Sequence, residues 1–178
     1  MKRDDPSHAL LSQAQELGAE GRAGSDDHAL LKLWLRLFAS TRQIEAEIRR
    51  RLRERFGISL ARFDYMAQLY RVKDGMKMGE LSQLLMVTGG NVTGLTDELA
   101  REGVVVRASN PADRRAWIVR LTPKGRRGFE AMAREHETWI LELFAGLEPA
   151  TVQQLHAQLG QLRVHLVRND QRSEGSPS

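Results

Sequence analysis

The chain has 178 residues and a formal net charge of +4, with 27 Lys and Arg against 23 Asp and Glu, and it contains no cysteine. This length is ample for one domain with a hydrophobic core. The absence of cysteine excludes disulfides, thiolate zinc sites, iron–sulfur clusters and cysteine-based redox sensing. No apolar run reaches the length of a membrane-spanning helix, and the N-terminus lacks the apolar stretch of a signal peptide, so we expect a cytoplasmic protein.

The net charge is unevenly distributed along the chain. Residues 42–62 carry seven arginines against three glutamates, and residues 104–127 carry seven basic side chains against Asp113 alone. Both basic segments lie between acidic ones, and such basic clusters suit contact with nucleic-acid phosphates. For residues 42–62, a solvated helix face is an equally good explanation.

The N-terminal half of the chain is predicted to be helical. Residues 1–27 are polar and are interpreted as a flexible arm. Apolar residues at three- and four-residue spacing predict a long helix over residues 28–55, and Ser59 is a suitable N-cap for a second helix to about Val72. A short third helix is predicted over residues 77–86 with Leu81, Leu84 and Leu85 buried. Thr88 is then the expected N-cap of a fourth helix that ends before Gly103.

Beyond Gly103 the sequence pattern changes from helical to strand-like. Two β-branched runs, residues 104–108 and 117–121, predict a β-hairpin whose long basic tip spans residues 109–116. Thr122 and Pro123 then mark the start of a further helix. A last helix follows Pro149 to about residue 167, with an apolar stripe at near-heptad spacing, and residues 168–178 are interpreted as a flexible tail.

Two short helices followed by a basic hairpin are the elements of a winged helix-turn-helix in their usual order. In the fourth helix Asn91 can pair with adenine and Thr93 can contact a base. Gly89 and Gly90 allow the backbone to come close to DNA, although a frayed helical turn would also explain them. In the hairpin, Arg114 and Arg115 suit a narrow minor groove, and Asp113 is expected to orient an arginine.

Two segments, GELSQLLMVTGGNVTGLTDELAREGVV and NPADRRAWIVRLTPKG, resemble the MarR (multiple antibiotic resistance regulator) family. The family's Asp-x-Arg wing signature falls on Asp113 and Arg115, and its Leu-Thr-x-x-Gly on Leu121, Thr122 and Gly125. The resemblance implies a mainly α fold with a small β-hairpin wing, in one domain over residues 28–167. The winged helix-turn-helix would occupy about residues 60–125, and dimerisation helices about residues 28–55 and 123–167.

The same resemblance implies a homodimeric transcription regulator, usually a repressor, that binds double-stranded DNA at a pseudo-palindromic operator. The fourth helix would enter the major groove and the wing the minor groove. The residues expected to bind DNA are Thr88, Gly89, Gly90, Asn91, Thr93, Gly94, Arg107, Asp113, Arg114 and Arg115.

Many members of this family bind small aromatic acids or their coenzyme A thioesters. The segment MVTGGNVTGLTDEL further resembles regulators of hydroxycinnamate and related aromatic catabolism, which favours such a ligand as inducer. The residues that could line its site are Trp34, Phe38, Ser40, Arg42, Phe63, Met66, Tyr70, Arg71 and His136. Ordinary core packing is the alternative explanation for the aromatic residues. The alternative function is a winged-helix DNA-binding protein with no small-molecule ligand, either constitutive or nonspecific.

Catalysis and metal binding are not expected. The sequence has no nucleophile elbow, phosphate-binding loop or dinucleotide fingerprint. Its five histidines form no pair four residues apart and no HExxH motif. We therefore predict neither an enzyme nor a metal or cofactor site.

Overall fold

The computed structural model describes residues 29–85, 89–110 and 113–174, with side chains described except at residues 109–116 and 170–174. The predicted arm, the predicted N-cap Thr88 and the side chains of Asp113, Arg114 and Arg115 therefore lie outside the described residues. The described chain divides after His136 into two compact units. Within the described ranges, no helix is both long and apolar enough to cross a membrane.

Six helices and three strands make up the described chain. In order, they are α1 (Ala29–Phe56), α2 (Leu60–Tyr70), β1 (Met76–Lys77), α3 (Met78–Leu85), α4 (Gly89–Arg101), β2 (Val105–Asn110), β3 (Asp113–Leu121), α5 (Pro123–Leu143) and α6 (Pro149–Glu174). The mainly helical prediction with a small wing is confirmed, and the element order is that of a winged helix-turn-helix.

The helix boundaries follow from capping and from glycine. α1 ends at Phe56 and is followed by Gly57, whose φ of 68° is readily adopted only by glycine. The Ser59 side chain accepts a hydrogen bond from the Arg62 amide at 3.2 Å and so caps α2. At the start of α5, Thr122 Oγ1 accepts from the Gly125 amide at 3.0 Å, which confirms the cap predicted from Thr122 and Pro123.

The wing is a three-stranded antiparallel sheet in the order β1–β3–β2, rather than the two-stranded hairpin that the sequence pattern predicts. β1 pairs Met76 with Val119 and Lys77 with Ile118, and two residues are too few to show strand alternation in a sequence. Gly75 makes this pairing possible, because a Cβ there would lie 2.6 Å from the Val119 carbonyl oxygen. The strands also extend further than predicted, since Ser109 pairs with Trp117 and Asn110 with Asp113, so the predicted tip over residues 109–116 was too long.

The core of the first unit lies where the helices α1 to α5 and the sheet bury their apolar sides. Its buried residues are Ile48, Leu52, Phe63, Tyr65, Met66, Leu69, Leu81, Val92, Leu99, Val105, Val119, Phe129 and Met132. Of the three leucines predicted to be buried in α3, Leu81 is fully buried and Leu85 is partly buried. The prediction was wrong at Leu84, which is 53% exposed because it lies on the side of this short helix that faces solvent.

The second unit contains the end of α5 and all of α6. α6 begins at Pro149, after Gly146 turns the chain with a φ of 87°, and it continues to Glu174, into the segment predicted as a flexible tail. Its apolar stripe at Val152, Leu155 and Leu159 is exposed. A stripe of this kind on an amphipathic helix requires a covering surface.

Candidate nucleic-acid interface

α4 has a buried side and an exposed side. Val92, Thr96 and Leu99 are fully buried and recur at helical spacing. The five predicted contact residues in the first half of the helix, Gly89, Gly90, Asn91, Thr93 and Gly94, are all exposed. The helix therefore presents to solvent the residues that the sequence assigns to DNA.

The three exposed glycines of α4 are not required by the fold. A Cβ added at Gly89, Gly90 or Gly94 would meet nothing within 4 Å. By contrast, a Cβ at Gly125 would lie 2.1 Å from the Val104 carbonyl oxygen, so that glycine is needed for close packing. Each glycine in a helix interior costs up to about 1 kcal/mol relative to alanine. A stretch that bears this cost without a packing reason is suited to close approach by a partner molecule.

The exposed polar side chains of α4 differ in whether they are free to form hydrogen bonds with a partner molecule. Thr93 Oγ1 donates to the Gly89 carbonyl oxygen at 3.0 Å, which uses its proton within the helix. The amide of Asn91 has no hydrogen-bond partner among the described residues. An unpaired, exposed Asn amide can offer one donor and one acceptor together to an adenine edge.

A buried polar contact fixes α4 against α2. The Tyr65 hydroxyl and Thr96 Oγ1 lie 2.5 Å apart, and Thr96 Oγ1 donates to the Val92 carbonyl oxygen at 2.6 Å. Burial raises the pKa of Tyr65, so its hydroxyl remains protonated. Neither residue was predicted from the sequence, although Thr96 shares the helical face of Val92 and Leu99.

One turn before Tyr65 along α2, Arg62 contacts the other end of α4. Its Nη1 donates to Glu98 Oε1 at 3.0 Å, and its Nη2 contacts Glu102. The Arg62 side chain is only 15% exposed. Because Arg62 and Tyr65 hold α4 at two points, the helix is presented as a rigid element.

The basic residues of the wing segment have different environments. Arg107 Nη2 lies 2.7 Å from Asp97 Oδ1 of α4, so this residue, predicted to contact DNA, joins the wing to α4. Lys124 Nζ donates to the Glu102 carbonyl oxygen at 2.8 Å. Arg120 and Arg127 are exposed, and no described carboxylate pairs with either. Arg114 and Arg115 belong to β3, which extends from the base of the wing.

Several arginines in the basic segment of α1 pair with carboxylates of the same helix. Arg50 contacts Glu47 at 2.6 Å and Glu54 at 2.5 Å, and Arg51 contacts Glu47 at 2.6 Å. Hydrogen bonds from Arg50 and Arg51 lower the pKa of Glu47 to about 2. Most arginines of this segment are therefore paired, which supports the solvated-face explanation.

The residues predicted to line a ligand site form two separate groups of contacts. On α1, the rings of Trp34 and Phe38 are 5.7 Å apart, and the Arg42 guanidinium lies 6.0 Å from the Phe38 ring; all three residues are exposed. The second group lies between α2 and α5. The ring centres of Phe63 and His136 are 4.9 Å apart and the rings stack, and Phe129 contacts both Phe63 and Tyr70. Met66 is buried, whereas Ser40 and Arg71 are exposed. No described contact joins the two groups.

The fold and the exposed face of α4 define a winged helix-turn-helix protein. A sequence model of the MarR family matches residues 56–116. The crystal structure of a MarR family transcriptional regulator from Silicibacter pomeroyi is 33% identical to this chain with a TM-score of 0.68, and the alignment covers 80% of this chain and 99% of that one. The chain belongs to the MarR family of transcriptional regulators and is not an enzyme.

Two further proteins are similar to this chain. The HTH-type transcriptional repressor YetL of Bacillus subtilis (strain 168) is 30% identical over 132 residues, which are 74% of this chain and 75% of YetL. The crystal structure of an S. aureus MepR–DNA complex has a TM-score of 0.62 over 72% of this chain and 94% of MepR, at 22% identity. The second comparison concerns the fold alone.

Proposed function

We propose that the chain represses transcription by binding a pseudo-palindromic operator as a homodimer. The observation that carries this proposal is the glycine- and asparagine-bearing face of α4, which is exposed while the opposite face is fixed by buried contacts. A rigid helix with an accessible N-terminal half is the geometry with which a helix-turn-helix protein enters the major groove.

In the proposed complex, each part of the interface has its own chemical task. The Asn91 amide would pair with adenine N6 and N7 in the major groove. Gly89 and Gly90 would bring backbone amides and the positive end of the helix close to DNA. Arg114 and Arg115 would supply positive charge along the wing, where a narrow minor groove attracts arginine.

The proposed dimer is supported by exposed apolar residues on both terminal helices. On α1 they are Leu30, Leu31, Leu33, Trp34 and Phe38, and on α6 they are Val152, Leu155, Leu159, Val164, Leu166 and Val167. Large apolar side chains that are exposed in number on one helix mark interaction sites on soluble proteins. Light scattering coupled to gel filtration tests this part, and a monomer at micromolar concentration would contradict it.

The sign of regulation and the role of a ligand are separate parts of the proposal. YetL is named as a repressor, and repression here is tested by a reporter assay with the operator placed in a promoter. Release by a small aromatic acid or its coenzyme A thioester is tested by a thermal-shift panel with and without operator. Because the rings of the Phe63 group contact one another, a ligand there would have to separate them. If the protein binds DNA but has no such ligand, its melting temperature should not change with any compound of the panel, either with or without operator.

The sharpest test of the α4 interface uses two glycines in similar surroundings. Neither Gly90 nor Gly128 has a neighbour within 4 Å of an added Cβ, and both are exposed residues in helices. Gly90→Ala and Gly128→Ala should each leave the stability unchanged or raised, since alanine is the better helix former. Only Gly90→Ala should weaken operator binding, by about 1–3 kcal/mol, a range typical of losing one specific contact.

The measurement is fluorescence anisotropy with an operator selected from a randomised duplex pool, and with a random duplex at the same salt concentration. Equal operator affinity for Gly90→Ala and wild type would show that the backbone does not approach DNA at this point. If wild-type affinities for the selected and random duplexes agree within a few-fold, the operator-specific function is wrong.

A further inference from the structure

One large aromatic side chain of the wing lies partly uncovered. Trp117 belongs to β3, and 52% of this residue is exposed. Among the described residues, none forms a hydrogen bond or a ring contact with its indole group. Single exposed apolar residues are common on protein surfaces, so the position of Trp117 in the wing has to indicate what it does.

Strand alternation places Trp117 on the face of the sheet that points toward α4. Residues two apart on a strand share a face, so Trp117 shares its face with Val119, which is fully buried. Val119 pairs across the sheet with Arg107, whose guanidinium lies 2.7 Å from the Asp97 carboxylate of α4. The next pair on this face toward the tip of the wing is Ser109 with Trp117. Trp117 therefore extends the α4-facing side of the wing beyond the part that the core covers.

The proposed complex brings one strand of the DNA backbone close to this face of the wing. With α4 in the major groove and the wing in the adjacent minor groove, a sugar–phosphate backbone runs between the two elements, because it forms the wall that separates the grooves. The side of the wing that points toward α4 therefore meets this backbone. The opposite side, which carries the cross-strand pair Val106 and Arg120, points away from it.

We propose that Trp117 packs against this backbone and so positions the wing on DNA, an inference that rests on the DNA binding proposed above. The apolar body of the indole would cover deoxyribose carbons, and its Nε1–H would donate to a phosphate oxygen. A contact of this kind fixes the orientation of the wing and does not read bases. It also differs from the contacts proposed for Arg114 and Arg115, because an uncharged side chain releases no counterions from DNA.

The first test measures duplex affinity of the full-length protein by fluorescence anisotropy at several salt concentrations. Trp117→Ala should weaken operator binding by about five- to tenfold, since roughly half of a large apolar side chain remains to be buried. Random duplex should be weakened by the same factor, because sugars and phosphates are the same in every sequence. The slope of log K against log salt should stay unchanged, unlike the slope of a variant that loses a DNA-binding arginine.

Val106→Thr is the matched control. Val106 is an apolar residue of the same sheet that is 38% exposed, and it lies on the face that points away from α4. Threonine has a similar shape and is equally suited to a strand. This variant should bind operator and random duplex as wild type does.

A second readout separates contact with DNA from a structural role of the side chain. Acrylamide quenching of tryptophan emission is measured with and without operator for wild type and for Trp117→Phe. Because Trp34 and Trp139 are present in both proteins, the difference between them reports on Trp117. Operator should protect this part of the emission from the quencher.

The outcomes distinguish this inference from the proposed function. Equal operator affinity in wild type and Trp117→Ala, an equal loss in Val106→Thr, or Trp117 emission that operator does not protect would overturn the inference while operator binding itself stands. A loss confined to operator would also overturn it, since Trp117 would then read bases. A changed oligomeric state of Trp117→Ala would assign the residue to an interface between copies of the chain. If wild type binds no duplex, the proposed function is wrong and this inference is wrong with it.

Discussion

The two basic segments of the chain look alike as sequences and differ as structures. In residues 42–62, carboxylates three or four residues away pair with Arg49, Arg50 and Arg51, and Arg55 lies 3.8 Å from Glu135. In residues 104–127, one described arginine, Arg107, has a carboxylate partner. Five of the seven arginines in the first segment therefore contact a carboxylate. The second segment presents Arg120, Arg126 and Arg127 without an acidic partner among the described residues.

This difference shows that charge counted along a sequence is not the charge that a partner molecule meets. A helix brings residues i and i+4 together, so alternating Glu and Arg neutralise one another on its surface. In the second segment, Arg120 lies on β3 and Arg126 and Arg127 lie in the first turns of α5, and no described carboxylate forms an ion pair with any of the three. Three stability predictions follow from the comparison, beginning with the largest effect.

Arg62 belongs to the first segment by sequence, and we expect its role to be structural. Arg62→Ala should lower the free energy of unfolding by about 1–2 kcal/mol, because a mostly buried guanidinium is removed from two carboxylates of α4. Urea denaturation at a fixed protein concentration measures the change. Unchanged stability together with a reduced salt dependence of DNA binding would mean that Arg62 meets phosphate instead.

We expect His136 to make a smaller contribution to the free energy of unfolding, and this contribution depends on pH. Burial lowers the pKa of His136, whose ring stacks on Phe63. The unfolded chain therefore binds the proton more readily, so the His136 contribution to stability should fall as the pH drops below about 6.5. His136→Phe should remove that part of the pH dependence while the ring contact is retained. The free energy of unfolding is measured between about pH 5 and pH 8 for wild type and for His136→Phe. If the two proteins show the same dependence on pH, the prediction is wrong.

The smallest effect is expected for Arg50, an exposed residue with two carboxylate partners. Arg50→Gln should leave the midpoint of urea unfolding within experimental error, because exposed ion pairs on a helix contribute little. A clear loss of stability in this variant, matching that of Arg62→Ala, would remove the distinction between exposed and buried arginines in this segment.

Much of the fold and of the exposed face of α4 was predictable from local sequence patterns. Helical spacing identified the buried and exposed sides of α4, and β-branched runs identified the wing. The pairing of Glu47 with Arg51 also follows from their four-residue spacing. By contrast, Arg62 reaches Glu98 and Glu102 across 36 and 40 residues of sequence, and no local pattern indicates such a contact.

The predictions that the structure did not bear out share a cause, which is that they depend on contacts between segments distant in sequence. β1 has two residues and forms because Gly75 lets the chain lie against β3, which a periodicity argument does not detect. Leu84 is exposed because the packing of a short helix is decided by its neighbours rather than by its own apolar content. The division of the predicted ligand-lining residues into two groups likewise depends on how α1 and α2 lie against each other.

The central claim is that the wing segment, and not the α1 segment, presents positive charge to DNA. The most direct test measures operator affinity between 50 and 300 mM salt for wild type, Arg115→Gln and Arg50→Gln, with all three compared on the same duplex (concentrations of roughly this range resolve counterion release). The account predicts that Arg115→Gln lowers affinity and reduces the slope of log K against log salt by about one, while Arg50→Gln matches wild type. An equal reduction of slope in both variants, or a reduction in Arg50→Gln alone, would contradict it.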